Sequence, residues 1–325
     1  MAKRLDIVDF LRGFSIFTIV LMHLVQSYDL PSILNKAASF GGAGVHVFIL
    51  CSGFGLYLSY LHNPLSYSDF MKRRFGKVYL PYIIIIVLSA LWDYYLSGAL
   101  NWEAVLSHVF LYKMFVPEYE SSFGGQMWFI STIIQFYIVW PLMVRLVRMK
   151  WGILYGLLIS LAWATFVGLL GLEEERVWNS FFLQYVWEFV VGMWLAGKYY
   201  HTPDLLSVPK WGYILMGIIV GMSLTAFMAW NGGVLKLYND IPSLVGYLSV
   251  LLFVYKLGIP FVNRFFSYTN RISYEWYLVH ILVFGVAKFL LSGSLPSYIE
   301  IIICLVASYF MAYIYDRVLR LLSIK

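Results

Sequence analysis

The chain has 325 residues, of which 61% are hydrophobic and only 12% are charged. Soluble domains carry roughly 25% charged residues, so this composition excludes a water-soluble fold and calls for a lipid-facing one. The net charge of +6 does not indicate nucleic acid, because membrane chains collect Lys and Arg in their cytoplasmic loops.

Apolar runs of about 20 residues recur along the whole length, the pattern of membrane spans. In chain order they predict ten spans, near 7–26, 43–62, 79–99, 127–146, 151–171, 180–197, 211–230, 241–257, 272–291 and 297–316. Backbone groups in lipid must be paired internally, so such unbroken runs are expected to be helices; they lack the short alternating segments of a barrel. The first run holds Arg12 and has no small-residue cleavage site after it, so it is read as a span and not a removable signal. Cys51 and Cys304 lie inside apolar runs and are expected to be buried thiols without a disulfide. The longest outer connection, about 100–126, starts with helically spaced apolar residues suited to the membrane surface. It continues as PEYESSFGG, an acidic tether. With no repeat, no low-complexity tract and no soluble domain at either end, 1–325 is expected to be one integral membrane domain: all-α, polytopic, about ten transmembrane helices.

Orientation follows from the basic residues. With the N-terminus in the cytoplasm, 17 of the 23 Lys and Arg fall in inner segments, Lys3, Arg4 and Lys325 among them, and five in outer ones; Arg12 lies within a span. The bias alternates with each crossing, which supports both the count and the orientation, and an even count puts both termini in the cytoplasm.

The first span, RGFSIFTIVLMH from Arg12 to His23, brackets ten uncharged residues with two costly side chains. At about 100° per residue the two share a helix face, and the rise between them is about 16 Å, roughly half the hydrocarbon thickness. Arg12 then faces the cytoplasmic mouth and His23 the membrane interior. Ionisable groups at that depth are functional candidates by default. Asp9, one turn before Arg12, is close enough to pair with it. His280 and Glu188 are also deep, as is Asp93. Each is read either as a core group satisfied by a neighbouring helix or as support for Arg12 and His23. His46 is expected to be structural or to line an outer vestibule.

LDIVDFLRGFSIFTIVLMH, with Asp9, Arg12 and His23, resembles the opening of the membrane acyltransferase-3 family. The likeness continues in order. GAGVHVFILCSGFGLYLS carries Ser52, Gly53 and Phe54 as the family's Ser-Gly-Phe. FMKRRFGKVYLPY resembles its basic segment, GGQMWFISTIIQFYIVWP its Trp-Phe-Leu segment and RISYEWYLVH its late Tyr-Leu-His segment. There are two departures. Lys77 stands where the family often has a second arginine, which keeps the charge but loses the bidentate fork. Ile133 and Ile134 stand where many members have a glutamate.

The resemblance implies acyl transfer from cytoplasmic acyl-CoA, acetyl-CoA as the expected donor, to a hydroxyl of an extracytoplasmic surface polysaccharide or lipid-linked glycan, in a bacterial inner membrane. A sugar hydroxyl needs a base near neutral pH, and His23 is assigned that role. Ser52 and Trp128 are candidate donors to the oxyanion. Arg74, Lys77 and Arg73 are candidate contacts for the phosphates of the donor, although charge topology alone also explains KRRFGK. No zinc spacing or glycine-rich nucleotide loop is present, so neither metal nor nucleic acid is expected. The related glucosamine-acetylating membrane families share the Asp-x-x-Arg-Gly opening, and His23 argues against them. The rival from another class is a multi-span transporter or flippase using Arg12 and His23 as an anion or proton path. The blandest rival is a structural scaffold.

Overall fold

A computed structural model describes residues 5–203, 207–291 and 295–324. Lys3, Arg4 and Lys325 of the charge count lie outside the described residues. The helices are α1 Asp6–Gln26, α2 Ser32–Ser39, α3 Gly44–His62, α4 Tyr67–Ser97, α5 Trp102–Val109, α6 Trp128–Ile138, α7 Trp140–Arg148 and α8 Gly152–Leu170. They continue as α9 Arg176–Asn179, α10 Val186–His201, α11 Trp211–Asn231, α12 Leu235–Tyr238, α13 Asp240–Lys256, α14 Pro260–Thr269, α15 Ser273–Leu291 and α16 Ser297–Leu321. Among the described residues there is no strand. Large apolar side chains face outward along the long helices, for instance Ile219 and Trp230 on α11 and Phe310 on α16. Such faces need lipid, and the protein is an all-α, multi-pass membrane protein.

Each expected span maps onto a helix or a bent helix pair. Among the described residues seven helices are long and apolar enough to cross a membrane alone, and eight crossings result if the bent pair is counted as one. The difference lies at α10 and α13, with 16 and 17 residues. The turn Phe182–Tyr185 takes up the first part of the expected span 180–197, whereas α13 matches the expected 241–257 in length and both are short for a crossing.

The fourth span is not straight. α6 and α7 meet at a 66° bend. Pro141, in the first turn of α7, has no N–H to continue the ladder from α6. The Tyr67 hydroxyl caps the Ile138 carbonyl at the bend, at 2.8 Å.

The third span starts earlier than hydropathy indicated. Ser66 caps α4 by accepting from the Asp69 amide at 3.1 Å, so the basic segment forms its first turns. Pro81 lies inside the helix and withholds one N–H from its ladder. Neighbouring tyrosines take nearby carbonyls, as expected where a proline sits inside a span: Tyr274 donates to Val78 O and Tyr315 to Pro81 O, each at 2.6 Å. These bonds tie α4 to α15 and α16.

Close backbone contacts set the rest. A Cβ added at Gly53 on α3 would lie 2.2 Å from the Phe189 carbonyl oxygen of α10. One added at Gly192 on α10 would lie 2.0 Å from the Leu50 oxygen of α3. Small residues at facing positions let membrane helices approach this closely, which gives the glycine of Ser-Gly-Phe a packing role.

Candidate active site

A cavity of about 530 Å³ opens between α1, α3, α4, α6 and α15. Arg12, His23, Ser52, Arg74, Lys77 and Trp128 all line it. The volume falls in the usual range for small-molecule sites.

One end of the cavity is basic. It gathers Arg12, Arg74 and Lys77 with Arg271, just ahead of α15, and Arg320, at the end of α16. Because the segment is helical, Arg74 and Lys77, three residues apart, share a face. Lys72 and Arg73 turn away and are exposed. Arg73, expected to contact the donor together with Arg74 and Lys77, does not line the cavity: a helix cannot present consecutive residues on one face. The Arg320 guanidinium is held by Asp316 through two bonds, Nε–Oδ2 2.8 Å and Nη2–Oδ1 3.1 Å. The Arg12 guanidinium lies 5.8 Å from the Phe48 ring centroid, and among the described residues its buried Nε has no hydrogen-bond partner. Asp9 accepts a hydrogen bond from the Asn270 side chain at 2.7 Å, which ties the start of α1 to the link between α14 and α15.

The other end holds His23, Gln126 and Trp128. His23 faces His280 across α15, ring centroids 5.4 Å apart. His280 is fully buried, with Nδ1 3.0 Å from the Trp276 carbonyl oxygen. It therefore backs His23 without lining the cavity. Trp128 stacks on Tyr185 at 6.2 Å and has the Arg176 guanidinium 5.4 Å from its ring. Ser52 lines the cavity from the turn of α3 that Gly53 seats against α10, one turn beyond the Phe48 ring that faces Arg12.

Glu188 is elsewhere. It projects from α10 toward α3 and pairs with His46, Nδ1–Oε1 2.7 Å, while His46 Nε2 lies 3.7 Å from Asp240 Oδ1 of α13. This cluster joins three helices outside the cavity. The three ligand atoms lie within 4.8 Å of one another, near enough to hold an ion. The expectation that Glu188 supports His23 or Arg12 is therefore replaced by a pairing with His46. The face of α10 that carries Glu188 was not legible before α3 was docked. Asp93 is exposed on the outer part of α4.

The connection 100–126 is more than a tether. His108 and Lys113 are fully buried within it. Tyr82 donates to His108 Nδ1 at 2.6 Å, and His108 Nε2 donates to the Ser122 carbonyl at 3.1 Å. Lys113 Nζ donates to the carbonyls of Ser122 and Gly124 at 3.3 and 3.2 Å. Burial and then the Lys113 ammonium push His108 down to about 3, so it is neutral at pH 7. Lys113 itself falls to about 8, chiefly through burial. A loop in water could not hold these groups; here they bond one another and fold the segment back over the bundle.

Sequence reasoning passed over Arg271 and Arg320, counted only as inner charges, and Gln126 and Glu275, both buried in the cavity wall. Ile133 is an apolar part of that wall. Glu275 is a carboxylate in the same cavity, supplied from α15.

The family profile described as an acyltransferase domain matches residues 5–317. The acyltransferase MdmB of Streptomyces mycarofaciens is 27% identical over 45% of this chain and 40% of its own length. The peptidoglycan O-acetyltransferase OatA of Listeria monocytogenes is 23% identical over 95% of this chain and 54% of its own length. The chain thus spans about half the length, or less, of these curated relatives. No solved structure gives a significant match. With the profile running across nearly every helix that lines the cavity, the chain belongs to the acyltransferase-3 family of membrane acyltransferases.

Proposed function

We propose that the chain moves an acyl group, acetyl in the simplest case, from acyl-CoA at the basic end of the cavity to a hydroxyl of a glycan or lipid-linked glycan reached from the other end. The observation that carries this reading is a single cavity with cations at one end and a histidine at the other. The charge bias favours a cytoplasmic basic end with both termini on that side, and the family likeness supports a bacterial inner membrane. There Arg74, Lys77, Arg271 and Arg320 meet the phosphates of the donor, arginine forks being suited to phosphate oxygens. Arg12, oriented by the turn that carries Asp9, guides the thioester arm inward. His23 takes the proton of the acceptor hydroxyl as it attacks, and His280 sets the ring plane of His23. Ser52 and Trp128 line the path. No metal is needed for any of these steps. The profile match over 5–317 supports treating 1–325 as one membrane acyltransferase domain.

The test is acetyl-CoA binding and release of free coenzyme A by the purified protein in nanodiscs, comparing wild type with His23→Ala and Arg320→Ala. The expected result is loss of thioester cleavage with donor binding retained in His23→Ala, and weakened, salt-sensitive donor binding in Arg320→Ala. Wild type that binds no acyl-CoA overturns the reading, and substrate flux without thioester cleavage supports a transporter instead.

A further inference from the structure

We propose that the Gln126 side-chain amide is the donor that stabilises the oxyanion formed on the transferred acyl group. This inference rests on the acyl-transfer reading above. Gln126 is 4% exposed and lines the cavity at the His23 end. Among the described residues neither atom of its carboxamide has a hydrogen-bond partner. An unpaired buried polar group is costly, and folded proteins pair nearly all of them. A polar group of a cavity-wall residue with no protein partner is accounted for when the ligand completes it.

The turn that presents Gln126 is built for that residue. Tyr277 of α15 donates to the Gln126 carbonyl at 2.5 Å. Gly124 sits at φ +114°, and a Cβ there would lie 2.4 Å from Gln126 Oε1. Glycine is thus required twice, for the backbone angle and for the space the carboxamide fills. Lys113 grips the Gly124 carbonyl and His108 holds Ser122, so the buried network of the outer connection fixes the backbone that leads into this turn. Fixed donors aimed where charge develops are the most effective kind, because they need no rearrangement during the reaction.

The chemistry divides cleanly between neighbours. The acceptor hydroxyl oxygen bonds to the thioester carbonyl carbon while its proton passes to a ring nitrogen of His23. The carbonyl oxygen takes up the negative charge and receives the Gln126 Nε2–H. As the intermediate collapses the C–S bond breaks, and the departing thiolate takes the proton from His23. The products are the ester and free coenzyme A thiol, with His23 neutral again. An amide neither gains nor loses a proton in this range, so Gln126 suits the charge-stabilising role and leaves the base role to His23.

Gln126→Met tests the idea, because it keeps the volume and removes the unpaired polar atoms. The expected result is a protein at least as heat-stable as wild type, with unchanged acetyl-CoA binding and turnover reduced by about 10²–10³-fold. Gln126→Glu, the same shape with the N–H donor replaced by oxygen, is expected to be equally slow. Turnover of Gln126→Met at the wild-type rate overturns the inference, and so does a fall in stability that matches the fall in activity, which would mark a structural role. Wild type that binds no acetyl-CoA removes the acyl-transfer reading itself and this inference with it, and that outcome is seen before any variant is compared.

Discussion

Gly53 and Gly55 stand two residues apart on α3 and should answer the same substitution with opposite signs. At Gly53 an added methyl would meet the Phe189 carbonyl oxygen at 2.2 Å, and at Gly55 it meets nothing within 4 Å. Ordinary contact between such atoms needs about 3.5 Å, so Gly53→Ala must push α3 and α10 apart by roughly 1 Å. Forcing a methyl into a closed contact costs about 1–3 kcal/mol. Gly55→Ala meets no obstacle and gains the helix preference of alanine, up to about 1 kcal/mol. The displacement has a second effect. Ser52 lines the cavity one residue before Gly53, and a shift of about 1 Å in a wall that positions substrate can lower turnover about 100-fold. The assay is the thermal midpoint of each purified variant by intrinsic fluorescence, with coenzyme A release measured alongside. Gly53→Ala is expected to melt lower than wild type and to lose activity; Gly55→Ala is expected to match or exceed wild type in both. Equal melting of the two variants would refute the packing argument.

Two further predictions concern buried polar groups outside the cavity. His108 falls from 6.5 to about 3 on folding, so between those values the unfolded chain binds more protons and stability drops as pH falls. Taking pH from 6.5 to 5 removes about 2 kcal/mol from this group; the acid side of the melting profile should flatten in His108→Gln, and parallel profiles would count against the assignment. At the three-helix cluster, His46→Ala leaves Glu188 fully buried without its 2.7 Å partner. Removing one member of a buried pair costs about 3–5 kcal/mol, which chemical or thermal unfolding in detergent will read, and an unchanged midpoint would show that the cluster contributes no stability.

The order of spans, the inside bias of the basic residues and the shared face of Arg12 and His23 are local properties. Apolar length, loop charge and a 3.6-residue repeat determine them, so the sequence by itself was enough. Asp9, three residues from Arg12, was local in the same sense, yet its partner Asn270 is not. What the tertiary structure decided is which distant side chains meet. Arg271 and Arg320 read as loop charges until α15 and α16 packed beside α4. Glu188 was ambiguous until α10 docked on α3, because the rotation of a helix about its axis is set by its neighbours and not by its own residues. Arg73 left the site, and Arg74 stayed, once Ser66 began α4 ahead of the basic segment. Gln126 looked like part of an acidic tether. Only the burial of His108 and Lys113, which needs the bundle around them, turns that tether into a wall of the cavity, since polar groups can leave water only where other polar groups are held to receive them.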